Sequence, residues 1–240
     1  TSLGRGNLSF TTMNMPRLAI EARIKAESME ESGKKEAIER TAKELFIQSV
    51  HQTAELIAEQ LYSRYQYQRT ALARQFPFMM GNDVWKGGGK LAPNDQVGDV
   101  LRQGTLGIGF IGGHNAMMAL YGESHGHSRK AWDTLYEAVL EMNKVADDYK
   151  AKYQLNFSVL ATPAEGLSGR FTRMDRRKYG TIPGVTDNDY YVNSFHVNVK
   201  ESITIVDKIK REAPFHAITR GGHITYVELD GEAQKNIKAI

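Results

Sequence analysis

The sequence predicts an α/β fold, a mainly parallel sheet or barrel with helices outside. Short apolar runs alternate with long amphipathic stretches along the whole chain, the pattern of βα units. Each of the first three runs leads into a Pro- or Gly-containing turn, and a helical pattern starts at once: Asn14-Met15-Pro16, Gly112-Gly113 and Thr162-Pro163-Ala164-Glu165-Gly166. With 41% apolar and 25% charged residues, the composition is that of an ordinary globular protein.

Leu8–Asn14 is short and β-prone, and Pro16 suits a helix start, with Asn14 as its expected cap. Ala19–Ser28 is helical in composition and breaks near Ser32-Gly33. Lys35 to about Arg74 reads as one long amphipathic helix with a stripe of Ile38, Ala42, Leu45, Phe46, Ser49, Thr53, Leu56, Ile57 and Leu61. A glycine-rich loop, Gly81–Pro93, precedes a short helix around Asp95–Gln103. Thr105–Ile111 reads as a buried strand, and a helix begins near His114. A second long helix, about Ser128–Tyr153, carries Trp132, Leu135, Val139, Met142 and Val145 on one face. Phe157–Ala161 is the next strand, followed by a helix bearing Arg170 and Phe171. Tyr190–Val192 is expected to be extended, Ser202–Glu212 helical, Ile224–Leu229 a strand, and Glu232–Ile240 the start of a helix.

The net charge of +3 is too small to imply nucleic acid. No run approaches the roughly 20 apolar residues that span a bilayer, so no membrane partner is expected and a cytoplasmic setting is. None of the 240 residues is cysteine, which excludes disulfides, thiolate metal sites and a cysteine nucleophile within them. The opening Thr1–Asn7 has no initiator Met and runs at once into a strand-like segment, so the chain reads as an excerpt of a longer one.

Glu165 is the leading candidate for chemistry. A carboxylate in a strand-to-helix turn can act as general base or acid, or can merely complement the helix dipole. Gly166, Ser168 and Gly169 could cradle phosphate oxygens with backbone N–H groups, or form a plain helix start. Gly107-Ile108-Gly109-Phe110-Ile111-Gly112-Gly113 lacks the spacing of a dinucleotide fingerprint, so close strand–helix packing is the expected use of its glycines. His114, His125 and His127 could ligate a metal, but their polar, glycine-containing loop suggests solvated side chains. Arg173–Lys178 reads as a solvated helix face, and Tyr62, Tyr65 and Tyr67 as packing residues. Asn7 is an amide at the amino end of the first strand.

Three ordered blocks resemble the catalytic subunit of anaerobic (class III) ribonucleoside-triphosphate reductases: Gly4–Arg17, Gly104–Gly112 and Thr162–Phe171. Gly184–Asp187, Tyr190–Val197 and Glu212–Ala217 extend the likeness over nearly the whole chain, while Gly113-His114-Asn115 departs from a Leu-Ala-Glu-like sequence in many relatives. The resemblance implies that residues 1–240 are one partial catalytic domain, about half of a ten-stranded α/β barrel of the glycyl-radical type.

The family stores a radical on a glycine, relays it to a cysteine, and abstracts the ribose 3′-hydrogen; formate or a thiol system supplies the reducing equivalents. The resemblance places that cysteine upstream, and the glycyl segment and a four-cysteine zinc site downstream, so no cofactor or metal is expected here. It implies a ribonucleoside triphosphate substrate, the remainder of the reductase chain, a radical-SAM activating enzyme and a homodimeric parent as partners. By resemblance, Glu165 and Asn7 are the catalytic residues, Glu165 beside the ribose hydroxyls and Asn7 positioning substrate or formate. Thr162, Ala164, Gly166, Leu167 and Ser168 form the loop that receives substrate phosphates. The chain alone is then expected to be inactive. Two other readings are a formate-lyase-like glycyl-radical enzyme and a non-catalytic nucleotide-binding module.

Overall fold

A computed structural model describes residues 6–30 and 33–227. Its centre is a sheet of three parallel strands, β1 (Asn7–Asn14), β2 (Thr105–Ile111) and β3 (Asn156–Ala161), in the order β1-β2-β3. Each strand is followed by a helix: α1 (Met15–Met29), α4 (Gly113–Tyr121) and α6 (Glu165–Tyr179). The long α2 (Lys35–Gln68) and the short α3 (Pro77–Gly81) lie between β1 and β2, α5 (Arg129–Tyr153) leads into β3, and α7 (Ile205–His216) follows α6. The observed sheet is open, not closed into a barrel. Beyond β3, Gly222 pairs with Leu160 in a single parallel bridge, so the fourth position of the sheet is barely begun.

Several boundaries differ from the sequence reading. The long helix ends at Gln68, and residues 73–75 form a separate single turn. Its buried stripe is Ile38, Ala42, Phe46, Val50, Ala54, Ile57, Ala58, Leu61 and Tyr65, whereas Leu56 is 59% exposed. Steps of four predominate because the helix packs along one straight seam, against α1 and α5. The Asp95–Gln103 helix is a 3₁₀ stretch over Gly98–Gln103. Residues 190–192 are a loop, and residues 224–227 are irregular. Residues 228–229 and the helix expected at 232–240 lie outside the described residues.

The sheet has two unlike faces. Met13, Leu106, Ile108, Phe110, Phe157, Val159 and Ala161 join residues of α1, α2 and α5 in the main core. The opposite face carries Phe10, Thr12 and Asn14 from β1, in register with Gly107, Gly109 and Ile111 of β2. Asn156, Ser158 and Leu160 continue that face on β3. Phe10 there is 49% exposed.

Glycine is required on this face for two reasons. A Cβ at Gly109 would lie 2.2 Å from Thr162 Oγ1, and one at Gly107 would lie 3.0 Å from Phe10 Cβ. The expected strand–helix packing instead holds for Gly112 and Gly113. Gly112 has φ of +80° and sits where a Cβ would be 2.2 Å from Pro16 Cγ, and Gly113 presses on Leu135.

Candidate active site

The turn after β3 is built from short residues. Ala161 ends the strand, Thr162, Pro163 and Ala164 cross to α6, and Glu165 is its first helical residue. Ala164, the N-cap, has no polar side chain, and no side-chain hydrogen bond caps the helix. The first intrahelical bond here is donated by Ser168 N to Ala164 O. The N–H groups of Glu165, Gly166 and Leu167 therefore point out of the helix at its positive end.

The candidate residues divide by exposure. Glu165 and Gly166 are exposed and Leu167 is half-buried. Thr162, Ala164 and Ser168 are buried. The Thr162 and Thr12 hydroxyls lie 3.2 Å apart, which ties the turn to β1 across the space left by Gly109. Ser168 Oγ donates to Glu165 O at 2.8 Å, so its hydroxyl serves the helix backbone. What this turn can offer a ligand is an exposed carboxylate beside a set of free backbone donors.

Asn7 stands at the other end of the sheet. It pairs with Thr105, Ser9 pairs with Leu106, and the bulge between them turns Asn7 onto the open face with Phe10 and Thr12. Without that extra residue, strict alternation would place it on the helix side. Its level on β3 is Asn156, six residues before Thr162, which puts it about 20 Å from the Glu165 turn. The two candidates are not neighbours.

The basic stretch 173–178 is not a solvated face throughout. Asp175 is fully buried, and Arg17 meets it from α1 at 2.5 and 2.7 Å. Asn14 Nδ2 donates to Asp175 Oδ2 at 2.8 Å, and the buried Tyr191 hydroxyl donates to the same oxygen at 2.9 Å. Asn14 also caps α1 as expected, accepting from Arg17 N through Oδ1. Arg176 Nε donates to Thr186 O at 2.5 Å, and its Nη2 donates to Asn188 O. Sequence reasoning missed Asp175 because a single acid among four bases looks like charge balancing. The signal that could have found it is its i, i+3 spacing with Thr172 and i, i+7 with Ser168, a polar stripe on one helix face.

The histidines are another correction. His125 is fully buried and donates from Nε2 to Phe195 O at 2.8 Å, while its Nδ1 has no partner. Burial pushes its pKa down to about 3. His114 is buried too, with Nδ1 3.3 Å from Glu201 Oε1 and 3.4 Å from Ser124 Oγ. Burial lowers it to about 4, so the ring that faces Glu201 is neutral at pH 7. His127 is exposed and reaches Glu201 Oε2 at 3.4 Å. No group of three or more such ligands is placed to hold a metal ion among the described residues. Asn115, buried beside His114, joins two loops by donating to Gly184 O and accepting from Val192 N.

A cavity of about 200 Å³ lies apart from the Glu165 turn, lined by Tyr190, Asn193, His196, Lys208 and Tyr226 among others. Asn193 Oδ1 in its lining is buried without a partner, whereas the carboxylate of Glu212 behind it is fully engaged. Burial pushes Glu212 up, but the bonds from His196, Lys208 and Val197 N outweigh this and hold its carboxyl below the usual range.

The whole of residues 1–240 matches the sequence profile of the family described as anaerobic ribonucleoside-triphosphate reductase. The chain belongs to that family. The reductase of enterobacteria phage T4 is 32% identical over 239 residues, covering 99% of this chain and 35% of its own length. That of Escherichia coli K12 is 31% identical over 240 residues, covering 99% and 31%. The chain thus spans about a third of the length of these reductases.

Among solved structures, the anaerobic ribonucleotide reductase from Thermotoga maritima with dATP in its specificity site superposes with a TM-score of 0.67. That alignment is 16% identical and covers 97% of this chain and 35% of the other. The same enzyme with citrate in its active site gives 0.66 at 16% identity, over 99% and 38%. The fold is therefore related to that of these reductases, with an unclosed three-stranded sheet among the described residues. No helix among the described residues is long and apolar enough to cross a membrane.

Proposed function

We propose that this chain forms part of the ten-stranded catalytic barrel of an anaerobic ribonucleotide reductase, where the Thr162–Ser168 turn receives the substrate phosphates and Glu165 handles a proton at the ribose. The observation that carries the reading is the start of α6, an exposed carboxylate beside uncapped N–H groups at the carboxyl end of a strand. Such an N-terminus suits an anionic ligand, and ligands of α/β proteins lie at the carboxyl ends of their strands. The Gly166 backbone is free to approach a phosphate, since nothing lies within 4 Å of where its Cβ would be.

The radical that takes the 3′-hydrogen would be supplied by a cysteine and a glycine elsewhere in the enzyme, since this chain has no cysteine. Glu165, as a carboxylate, would accept the 3′-hydroxyl proton as charge develops on that oxygen. Asn7, a sheet-length away on the open face, would orient a group at the opposite end of the interior. The partners that follow are a ribonucleoside triphosphate, the remainder of the reductase and its activating enzyme, with a homodimeric parent.

Glu165→Gln in the complete reductase tests the reading. It keeps the side-chain size and removes the base, so turnover should fall by about 10²–10⁴-fold while triphosphate binding stays within a few-fold of the parent. Parental turnover would refute the assignment.

A further inference from the structure

The hydrogen bonding of α6 explains how a base at its first residue can be aimed. The residues that α6 buries are Ser168, Thr172 and Asp175, all polar. Its apolar Leu167 and Phe171 are half-buried, and Met174 is 43% exposed. Phe171 and Tyr179 rest against a small cluster of Ile20, Val185 and Tyr191, separate from the core that fixes α2 and α5. Polar contacts add to this hold: Lys178 and Tyr179 in the last turn both donate to Glu21 of α1, and the largest set converges on the buried Asp175.

We propose that Asp175 is the positioning residue for Glu165, its buried carboxylate fixing the axis of α6 relative to the sheet. One oxygen takes both contacts from Arg17, the other takes Asn14 and Tyr191. These donors come from three places: the end of β1, the first turn of α1, and the loop that crosses the carboxyl end of β2. That loop is itself fixed to the sheet, since Gly112 N donates to Val192 O and Gly113 N to Ser194 O. Asp175 thus refers α6 to the same strand ends that border the Glu165 turn. Arg176, the next residue, adds two bonds to the carbonyls of Thr186 and Asn188.

The lever arm gives the size of the effect. Ten residues separate Glu165 from Asp175, which is about 15 Å along a helix. A tilt of roughly 4° about the clamp would move the Glu165 backbone by about 1 Å, and a misplacement of that size can cost about 10² in rate. Binding of phosphates by backbone donors is less sensitive, because the helix end moves as a unit and several N–H groups share the contact.

This inference rests on the proton-handling role proposed for Glu165, and a double-mutant cycle in the complete reductase separates the two. Asp175→Asn keeps the shape but replaces one acceptor oxygen by a donor facing other donors. It should lower kcat by about 10–100-fold, with KM for the triphosphate within about threefold. In the Glu165→Gln background the same change should have no further effect on kcat, whereas a general loss of folded enzyme would lower both backgrounds alike. Tyr191→Phe removes one bond and no volume to speak of; it should lower kcat several-fold, again only when Glu165 is present, and it serves if Asp175→Asn does not fold. Parental kcat in Asp175→Asn or Tyr191→Phe, or equal losses with and without Glu165, would overturn the proposal. If Glu165→Gln alone has parental turnover, the base assignment fails first and takes this inference with it.

Discussion

Lowering the pH from 7 to 5 should destabilise the chain well before its carboxylates titrate, and the buried histidines set the size of the effect. His114 and His125 start from an ordinary value of 6.5 and are lowered by burial to about 4 and about 3. The sign follows from proton counts. Between those values and 6.5 the unfolded chain binds protons that the folded chain refuses, so stability is full above pH 6.5 and is lost as pH falls through that window. With one pKa unit equivalent to about 1.4 kcal/mol, each ring should contribute a loss of about 2 kcal/mol between pH 7 and 5, or about 4 kcal/mol together. His216, also lowered by burial and by its stacked neighbour His223, acts in the same direction. Glu212 works in a separate window: its carboxyl is held low, so its contribution is lost only as pH falls below the usual carboxylate range. Urea denaturation at pH 7, 6 and 5 measures the slope directly. A His125→Gln chain should be less pH-sensitive than its parent by about one proton near pH 5. A flat stability between pH 7 and 5, or an unchanged slope after that substitution, would refute the argument from burial.

Two further outcomes follow from the open face of the sheet. Gly109→Ala places a Cβ against Thr162 Oγ1 and should cost about 1–3 kcal/mol by overpacking; calorimetry should show most of that loss restored by Thr162→Gly in the same chain. Asn7→Ala, at an exposed end of β1, should leave stability within about 0.5 kcal/mol while lowering turnover of the complete reductase at least tenfold, as steady-state kinetics would show.

Local chemistry was legible wherever one residue type does one job. The strands at 105–111 and 157–161 are runs of apolar or small residues buried along their length, and such runs can be read directly. Pro16 behind Asn14 marks the start of α1, and Ser128 marks that of α5, because capping is satisfied within three residues of sequence. The Glu165 turn was readable for the same reason: strand, turn and helix start are contiguous.

What the sequence could not supply depends on residues far apart along the chain. A one-residue bulge decides that Asn7 shares a face with Thr12, and a bulge has no composition of its own. Asp175 is surrounded in sequence by arginine and lysine, yet its decisive partners are Asn14, Arg17 and Tyr191, up to 161 residues away. His125 sits between glycines and serines that look like a solvated loop, but the 195–197 segment closes over it. By itself the sequence determined the α/β alternation, the family and the carboxylate at the start of α6. The tertiary structure alone decided which polar residues are buried and what they hold, because burial is set by whichever distant segment arrives to exclude the water.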